Sequence, residues 1–331
     1  MSFTPDRSTM SDVPVRHQLL AVAVATMWGL NFLAIEASLA HVPPFFLVAL
    51  RFAVIAVPTL LWVPRPQVPL RWLVGYGLGF GTVQFLFLYW GMAVGMPAGL
   101  ASLVLQASAP FTLVLGATLL SERVGPRGVA GVVVAAAGLA VVGWHRAETA
   151  SLLPFLLTLA GALGWAVGNV CSRQARPPRP LHLTLWMSVV PPLPMGLLAL
   201  VVEGPERIAT AMTTLATPGG LLALAGLAYT VLVGTVVASG VWTWLMARHP
   251  ASSVAPFSML VPVVGMSSAW LVLGERVSPT ELAGGGLVVG GVLLATLSRG
   301  GARLPAPAPH PAPDPPGPPA ASPTAPTPLR R

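Results

Sequence analysis

Apolar residues run along this chain in blocks of roughly 18 to 25, long enough to cross the hydrocarbon layer of a membrane as helices, and short polar or proline-bearing breaks separate them. The pattern predicts ten spans, at 18–36, 44–63, 72–93, 97–120, 126–143, 151–171, 181–202, 219–246, 250–273 and 280–298. The blocks also repeat. Gly81-Thr82 returns as Gly234-Thr235, Pro97-Ala98 as Pro250-Ala251, and Leu120-Ser121-Glu122-Arg123-Val124 as Leu273-Gly274-Glu275-Arg276-Val277, each 153 residues later. Pro126 and Pro279, Gly131 and Gly284, and Gly138 and Gly291 keep that register. The expected fold is therefore an all-α integral membrane protein of two five-helix repeats, 18–143 and 151–298, between an arm at 1–17 and a tail at 299–331. Duplicated halves of this kind point to a transporter.

Charge sets the orientation. Only 8% of residues are charged and 54% are apolar, with a mean hydropathy of +0.76, too few charges to cover a water-exposed surface. All 18 basic residues are arginines. Except for Arg51, Arg146, Arg207 and Arg276, they fall in the arm, the tail and the loops that share one face, which predicts both termini in the cytoplasm. Five spans per half then enter the second repeat upside down relative to the first. The net charge of +8 is spread singly through loops and forms no stripe, so nucleic acid is not an expected partner. Arg7 and Arg16 ahead of an apolar run resemble a signal peptide, but span 1 carries a Trp and an Asn matched in span 6 and is read as a retained helix. The Pro/Ala-rich tail is too poor in large apolar groups to pack, and its removal is expected to leave transport intact.

Several chemistries are missing. Without lysine there is neither a phosphate-loop lysine nor a Schiff-base lysine, and the six histidines show no metal-ligand spacing. No enzyme activity, cofactor or metal is expected. Cys171 has no partner for an internal disulfide and reads as a packed thiol or a redox group. The run Gly75-x-Gly77-x-Gly79-x-Gly81 follows no strand and reads as two overlapping G-x-x-x-G pairs for close helix approach, as do Gly286 and Gly290.

Polar groups inside apolar spans are costly and so are candidate substrate-binding residues. Asn31 and Asn169 stand at corresponding places in spans 1 and 6, shortly after Trp28 and Trp165; they either face a shared cavity or bond a neighbouring helix. Gln84 and Tyr89 in span 3, Gln106 in span 4, Trp242 in span 8 and Ser258 in span 9 add hydrogen-bonding groups and aromatic faces. Arg51 is the one full charge well within a span; it either braces spans 1 and 2, with Glu36 in reach, or binds a substrate carboxylate. No acidic residue lies mid-span, which argues against coupling through a buried carboxylate. Glu122-Arg123 and Glu275-Arg276 read as caps or salt bridges. Pro110 in span 4 and Pro256 and Pro262 in span 9 remove helix hydrogen bonds, making these corresponding spans candidate hinges or static kinks.

The repeat, the Glu-Arg pairs, Trp28-Gly29-Leu30-Asn31-Phe32, Pro43-Pro44 with Leu50-Arg51-Phe52, and Gly95 through Ala107 together resemble the EamA-type transporters of the drug/metabolite transporter superfamily. Val254-Ala255-Pro256 and Leu260 through Gly265 extend the likeness. The resemblance implies a cavity walled by spans 1, 3, 4, 6, 8 and 9, with spans 5 and 10 as scaffold. It also implies a location in the bacterial cytoplasmic membrane and outward movement of small amino-acid-like metabolites of the cysteine and O-acetylserine class. Glu36 stands where such exporters usually carry a lysine. Aromatic-compound or multidrug efflux is the alternative, and a non-transporting scaffold or sensor a further one. The expected partners are a small-molecule substrate and the bilayer, with the chain a monomer or a homodimer.

Overall fold

The structure is a computed structural model and describes residues 13–122, 124–249 and 251–297. The arm up to residue 12, Arg123, Pro250 and the tail from residue 298 lie outside the described residues. Ten helical stretches are long and apolar enough to cross a membrane: Val15–Leu39, Pro44–Trp62, Leu70–Ala93, Ala98–Leu119, Pro126–Thr149, Leu153–Ala175, Pro180–Glu203, Pro218–Met246, Ala255–Leu273 and Pro279–Thr296, hereafter spans 1 to 10. No strand occurs among the described residues. The predicted centres hold and the ends move. Span 5 continues to Thr149 rather than stopping at residue 143, because a helix needs hydrogen bonds and not hydrocarbon to continue. Span 9 begins later than predicted, after a separate helical turn at Ala251–Val254.

Packing follows the repeat. Span 1 lies against spans 8 and 9, and its counterpart, span 6, lies against spans 3 and 4. Spans 2 and 7 pack on each other, and spans 5 and 10 form the most extensive helix pair. That last seam is made by repeated glycines. A methyl group built on Gly131 would stand 2.5 Å from the Ala295 nitrogen, and one on Gly138 would stand 2.5 Å from the Gly284 carbonyl oxygen. The backbones therefore touch, and dispersion replaces the hydrophobic drive that lipid cannot supply. Gly286 and Gly290 differ from expectation. Nothing lies within 4 Å of a methyl group on either, because they fall on the outer side of the helix while Gly284 and Gly291 face the seam. The Gly75–Gly81 run behaves as predicted: Gly75 and Gly79 meet Cys171 and Gly168 of span 6, and Gly77 and Gly81 meet Val190 and Pro191 of span 7.

Both halves depart from α-helix at matching places. Spans 3 and 8 widen into π-helix at Gly77–Val83 and Tyr229–Val237, and spans 4 and 9 tighten into 3-10 helix at Leu105–Ala107 and Ala255–Met259. In the wide turns Thr82 and Thr235 each donate their hydroxyl five residues back, to Gly77 at 3.3 Å and Thr230 at 2.9 Å. In the tight turns proline is the cause. Pro110 has no N–H for the Gln106 carbonyl and Pro262 none for that of Ser258. Such local changes of winding recur at functional sites in helical proteins.

Acidic side chains act as caps. Glu275 accepts from the N–H groups of Ala98 and Gly99 at 2.8 and 3.0 Å, closing the start of span 4. Glu203, at the end of span 7, accepts from Phe45 and Phe46 at 2.6 and 2.9 Å, closing the start of span 2. Ser278 and Glu281 form a reciprocal capping box on span 10. Glu122 pairs with Arg173 at 3.2 Å.

Candidate functional site

The polar interior is assembled around the π-turn of span 8. Trp28 and Asn31, three residues apart and so on one face of span 1, both address Gly234. Trp28 Nε1 donates to the Gly234 carbonyl at 2.9 Å, and the absent Gly234 side chain leaves room for Asn31, whose Oδ1 would be 2.9 Å from a methyl group there. Between them Gly29 faces span 9, 2.6 Å from Val264 by the same construction. Trp242, two helical turns beyond Gly234, stacks obliquely on Trp28 at 5.2 Å between ring centroids. The Oδ1 of Asn31 is buried and accepts no hydrogen bond among the described residues.

Arg51 reaches the next residue along. Its Nη2 donates to Thr235 Oγ1 at 3.1 Å and its Nη1 to the Tyr89 hydroxyl at 3.0 Å, while the guanidinium lies 4.0 Å from the centre of the Phe85 ring. Arg51 is 5% exposed, and its Nε is buried without an acceptor. The predicted bracing of spans 1 and 2 by Arg51 and Glu36 is not what the structure shows. Arg51 ties span 2 to spans 3 and 8, and Glu36 lies within electrostatic range of Glu275 instead. No described carboxylate forms an ion pair with Arg51; the pair found is Arg173 with Glu122. A charged guanidinium deep in a span costs about 2.5–3.5 kcal/mol on an insertion scale. Two hydroxyl acceptors and a ring face offset that cost without neutralising the charge.

The matching region of the first half is apolar where the second is cationic. Thr82 corresponds to Thr235, yet the span 7 side chains beside Gly81 are Pro191 and Met187. Trp165 meets the edge of Phe80 at 5.8 Å, and Asn169 Nδ2 donates to Thr112 Oγ1 of span 4 at 3.1 Å. The two asparagines thus part company: Asn169 bonds a neighbouring helix, and Asn31 keeps a free acceptor. Gln84 is buried at 2% exposure with Oε1 unpartnered, and its own backbone lies against Gly161 and Gly164 of span 6. Gln106 joins span 4 to span 9 through Nε2, which donates at 3.3 Å to the Ser258 carbonyl, the group that Pro262 leaves without its helix donor.

The structure therefore gathers Trp28, Asn31, Arg51, Tyr89 and Trp242 at one place, and links Gln106 with Ser258 at another. Trp165 and Asn169 of span 6 face spans 3 and 4 instead, and Gln84 lies where span 3 meets span 6. Sequence reasoning missed Phe85, Thr112, Thr230 and Thr235. Thr235 carried a signal, since Gly234-Thr235 is the first repeated pair, but repetition alone gave it no role. Two surface clefts, of about 460 Å³ beside Met266, Trp270 and Arg276 and about 640 Å³ between Leu39–Pro44 and Glu206–Thr214, touch none of these groups. No group of His, Cys, Asp and Glu among the described residues has a metal-binding arrangement.

The two ends of the repeat differ in closure. At one end the start of span 4 packs on span 9: Gly99 lies against Met266 and Ala269, Ser102 against Gly265, and Glu275 caps the junction. At the other end, among the described residues, Ala255–Met259 lies against spans 1 and 10 and has no comparable packing on the second half of span 4.

The profile of the EamA-like transporter family matches residues 16–144 and 152–297. A protein of Salmonella typhimurium named "Probable amino-acid metabolite efflux pump" is 41% identical over 285 residues, covering 83% of this chain and 93% of that protein. Its namesake in Escherichia coli is 38% identical over 286 residues, with the same shares of the two chains. A "Probable terminal-alkyne amino-acid exporter" of Streptantibioticus cattleyicolor is 31% identical over 242 residues, 71% of this chain and 76% of that one. One solved crystal structure superimposes with a TM-score of 0.56 at 24% identity, over 86% of this chain and 99% of that one. This chain belongs to the EamA-like transporter family, a two-repeat, multi-pass membrane fold.

Proposed function

We propose that this EamA-like transporter exports small amino-acid-like metabolites, of the cysteine and O-acetylserine class, across the bacterial cytoplasmic membrane by alternating access between its two halves. The observation that carries the reading is the convergence of Trp28, Asn31, Arg51, Tyr89 and Trp242 on the Gly234–Thr235 turn, where hydroxyl, amide and guanidinium groups are held between aromatic faces inside an apolar bundle. A small zwitterion suits such a lining, because it presents both donors and acceptors and carries no net charge into the membrane. The names of the relatives point the same way. The seam of spans 4 and 9 seals the end bearing Glu275, and among the described residues the related end has no comparable seam, a difference that supports alternating access. With both termini cytoplasmic, as the arginine distribution indicates, the sealed end is the outer one and the state is inward-facing. Spans 4 and 9 hinge at their 3-10 turns, next to Pro110, Pro256 and Pro262. The repeats at 18–143 and 151–298 are the moving halves.

The test is counterflow in liposomes loaded with unlabelled solute. Saturable uptake of labelled O-acetylserine and cysteine, indifferent to a pH gradient, is the expected result. Uptake of aromatic cations in place of both amino acids would replace this reading with multidrug efflux.

A further inference from the structure

Resting on that reading, we infer that Arg51 is the carboxylate anchor of the transported molecule and that Asn31 Oδ1 receives its ammonium group, so that the substrate must carry a free α-carboxylate. A guanidinium has five N–H donors in a planar fork, and at Arg51 two nitrogens are engaged by Thr235 and Tyr89 while Nε points at no acceptor. Both partners are neutral hydroxyls. They orient the fork, and Phe85 holds its face, but the charge stays without a counter-ion in the described interior. A side chain that is 5% exposed, fixed on three sides and short of an anion has the form of a site completed by its ligand.

The acceptor needed by the other end of a zwitterion stands one residue away along span 8. Arg51 addresses Thr235 and Asn31 addresses Gly234, and Oδ1 of Asn31 is the buried oxygen left unpaired there. An α-amino acid carries its carboxylate and ammonium on one carbon, to be received by Arg51 and Asn31, which meet span 8 at Thr235 and Gly234. Trp28 and Trp242 then border the side chain of the solute, where shape rather than charge is read. A bound carboxylate pairs with Arg51, and because the solute is a zwitterion the net charge of the loaded site equals that of the empty one. The repeat-related region beside Gly81 has Pro191 and Met187 and supplies no second anchor, which makes one molecule per cycle the expected stoichiometry.

The experiment uses the full chain in liposomes and asks how well unlabelled O-acetylserine, its methyl ester and its decarboxylated amine compete with labelled O-acetylserine. Wild type is expected to discriminate at least tenfold against the ester and the amine, since each leaves the guanidinium unpaired. Arg51→Lys keeps the charge but loses the fork, and should raise KM about tenfold at unchanged membrane abundance. Arg51→Gln should bring the acid-to-ester ratio towards one, an effect that a bracing role alone would not produce. Equal competition by acid and ester in wild type, or an unchanged ratio in Arg51→Gln, overturns the inference while leaving amino-acid export standing. If wild type moves no amino acid, the functional reading fails, and thermal stabilisation of the detergent-purified protein by small carboxylates decides the anchor separately. Stabilisation that Arg51→Gln abolishes supports it, and none in wild type overturns it.

Discussion

Glu203 offers a test in which a structural carboxylate is separated from a transport carboxylate. Its side chain is 6% exposed at the end of span 7 and accepts two backbone N–H groups, those of Phe45 and Phe46, at 2.6 and 2.9 Å. These donors belong to the first turn of span 2 and have no partner within their own helix. Hydrogen bonds to a charged group contribute about 1.5–3 kcal/mol each, and an anion at a helix N-terminus a further ~0.3–1 kcal/mol. Glu203→Ala leaves both donors bare and is expected to cost about 3–5 kcal/mol. Glu203→Gln keeps one acceptor oxygen but sets an NH₂ group against the second donor, for about 2–3 kcal/mol. At roughly 2–4 °C per kcal/mol for a chain of this order of size, the unfolding midpoint should fall by about 6–20 °C for Ala and about 4–12 °C for Gln. Midpoints in detergent are compared at one heating rate, because unfolding of such proteins is irreversible. Counterflow is measured on both variants per mole of folded protein below the midpoint, and should match wild type. A Glu203→Gln variant with a wild-type midpoint would refute the capping account. One with a wild-type midpoint and no transport would place this carboxylate in the transport cycle.

Other consequences are equally open to measurement. Gly138→Ala should lower the unfolding midpoint, with overpacking of about 1–3 kcal/mol against Gly284 exceeding the gain in helix propensity; Gly286→Ala, with open space around it, should leave the midpoint unchanged or raise it. In a Cys171→Ala background, Gly99→Cys with Ala269→Cys places two β-carbons about 3.2 Å apart across spans 4 and 9, so oxidation should cross-link them and stop counterflow until reductant is added. Full counterflow in the cross-linked protein would show that this seam does not open. Asn31→Ala and Asn169→Ala should each reduce transport at unchanged abundance, by about tenfold for Asn31 and less for Asn169; normal rates in both would remove them from the site.

The repeat register, the ten spans and the packing role of Gly75–Gly81 were legible because each rests on a pattern carried by consecutive residues: period, length or spacing. Span ends were less so, as at Thr149, since hydropathy reports the edge of the hydrocarbon while the helix stops where its hydrogen bonds do. The glycines of span 10 show the limit in a single helix. Gly284, Gly286, Gly290 and Gly291 look alike in sequence, and only the rotation of the helix about its axis decides which of them meet span 5. Arg51 shows the same limit across helices. That it is buried and needs partners follows from its place in an apolar run, but the choice of Tyr89 and Thr235 over Glu36 depends on how three helices are turned toward one another. The π-turns at Gly77–Val83 and Tyr229–Val237 had no signal beyond the recurrence of Gly-Thr, because one extra residue in a turn leaves hydropathy unaltered.

The seam between spans 5 and 10 sets the glycines of one repeat crosswise against those of the other: Gly131 lies near Gly291, the counterpart of Gly138, and Gly138 near Gly284, the counterpart of Gly131. A two-fold axis between identical subunits produces this reciprocal pattern, so the polypeptide carries within itself the contact surface of a dimer. In a true homodimer every substitution is made twice, and a buried cation on one side brings a second, repelling cation on the other. Joining the halves in one chain removes that constraint. Each can then change alone while the glycine seam preserves their fit, and Arg51, facing Thr235 where the other half has Pro191 beside Gly81, is a difference that a homodimer could not hold.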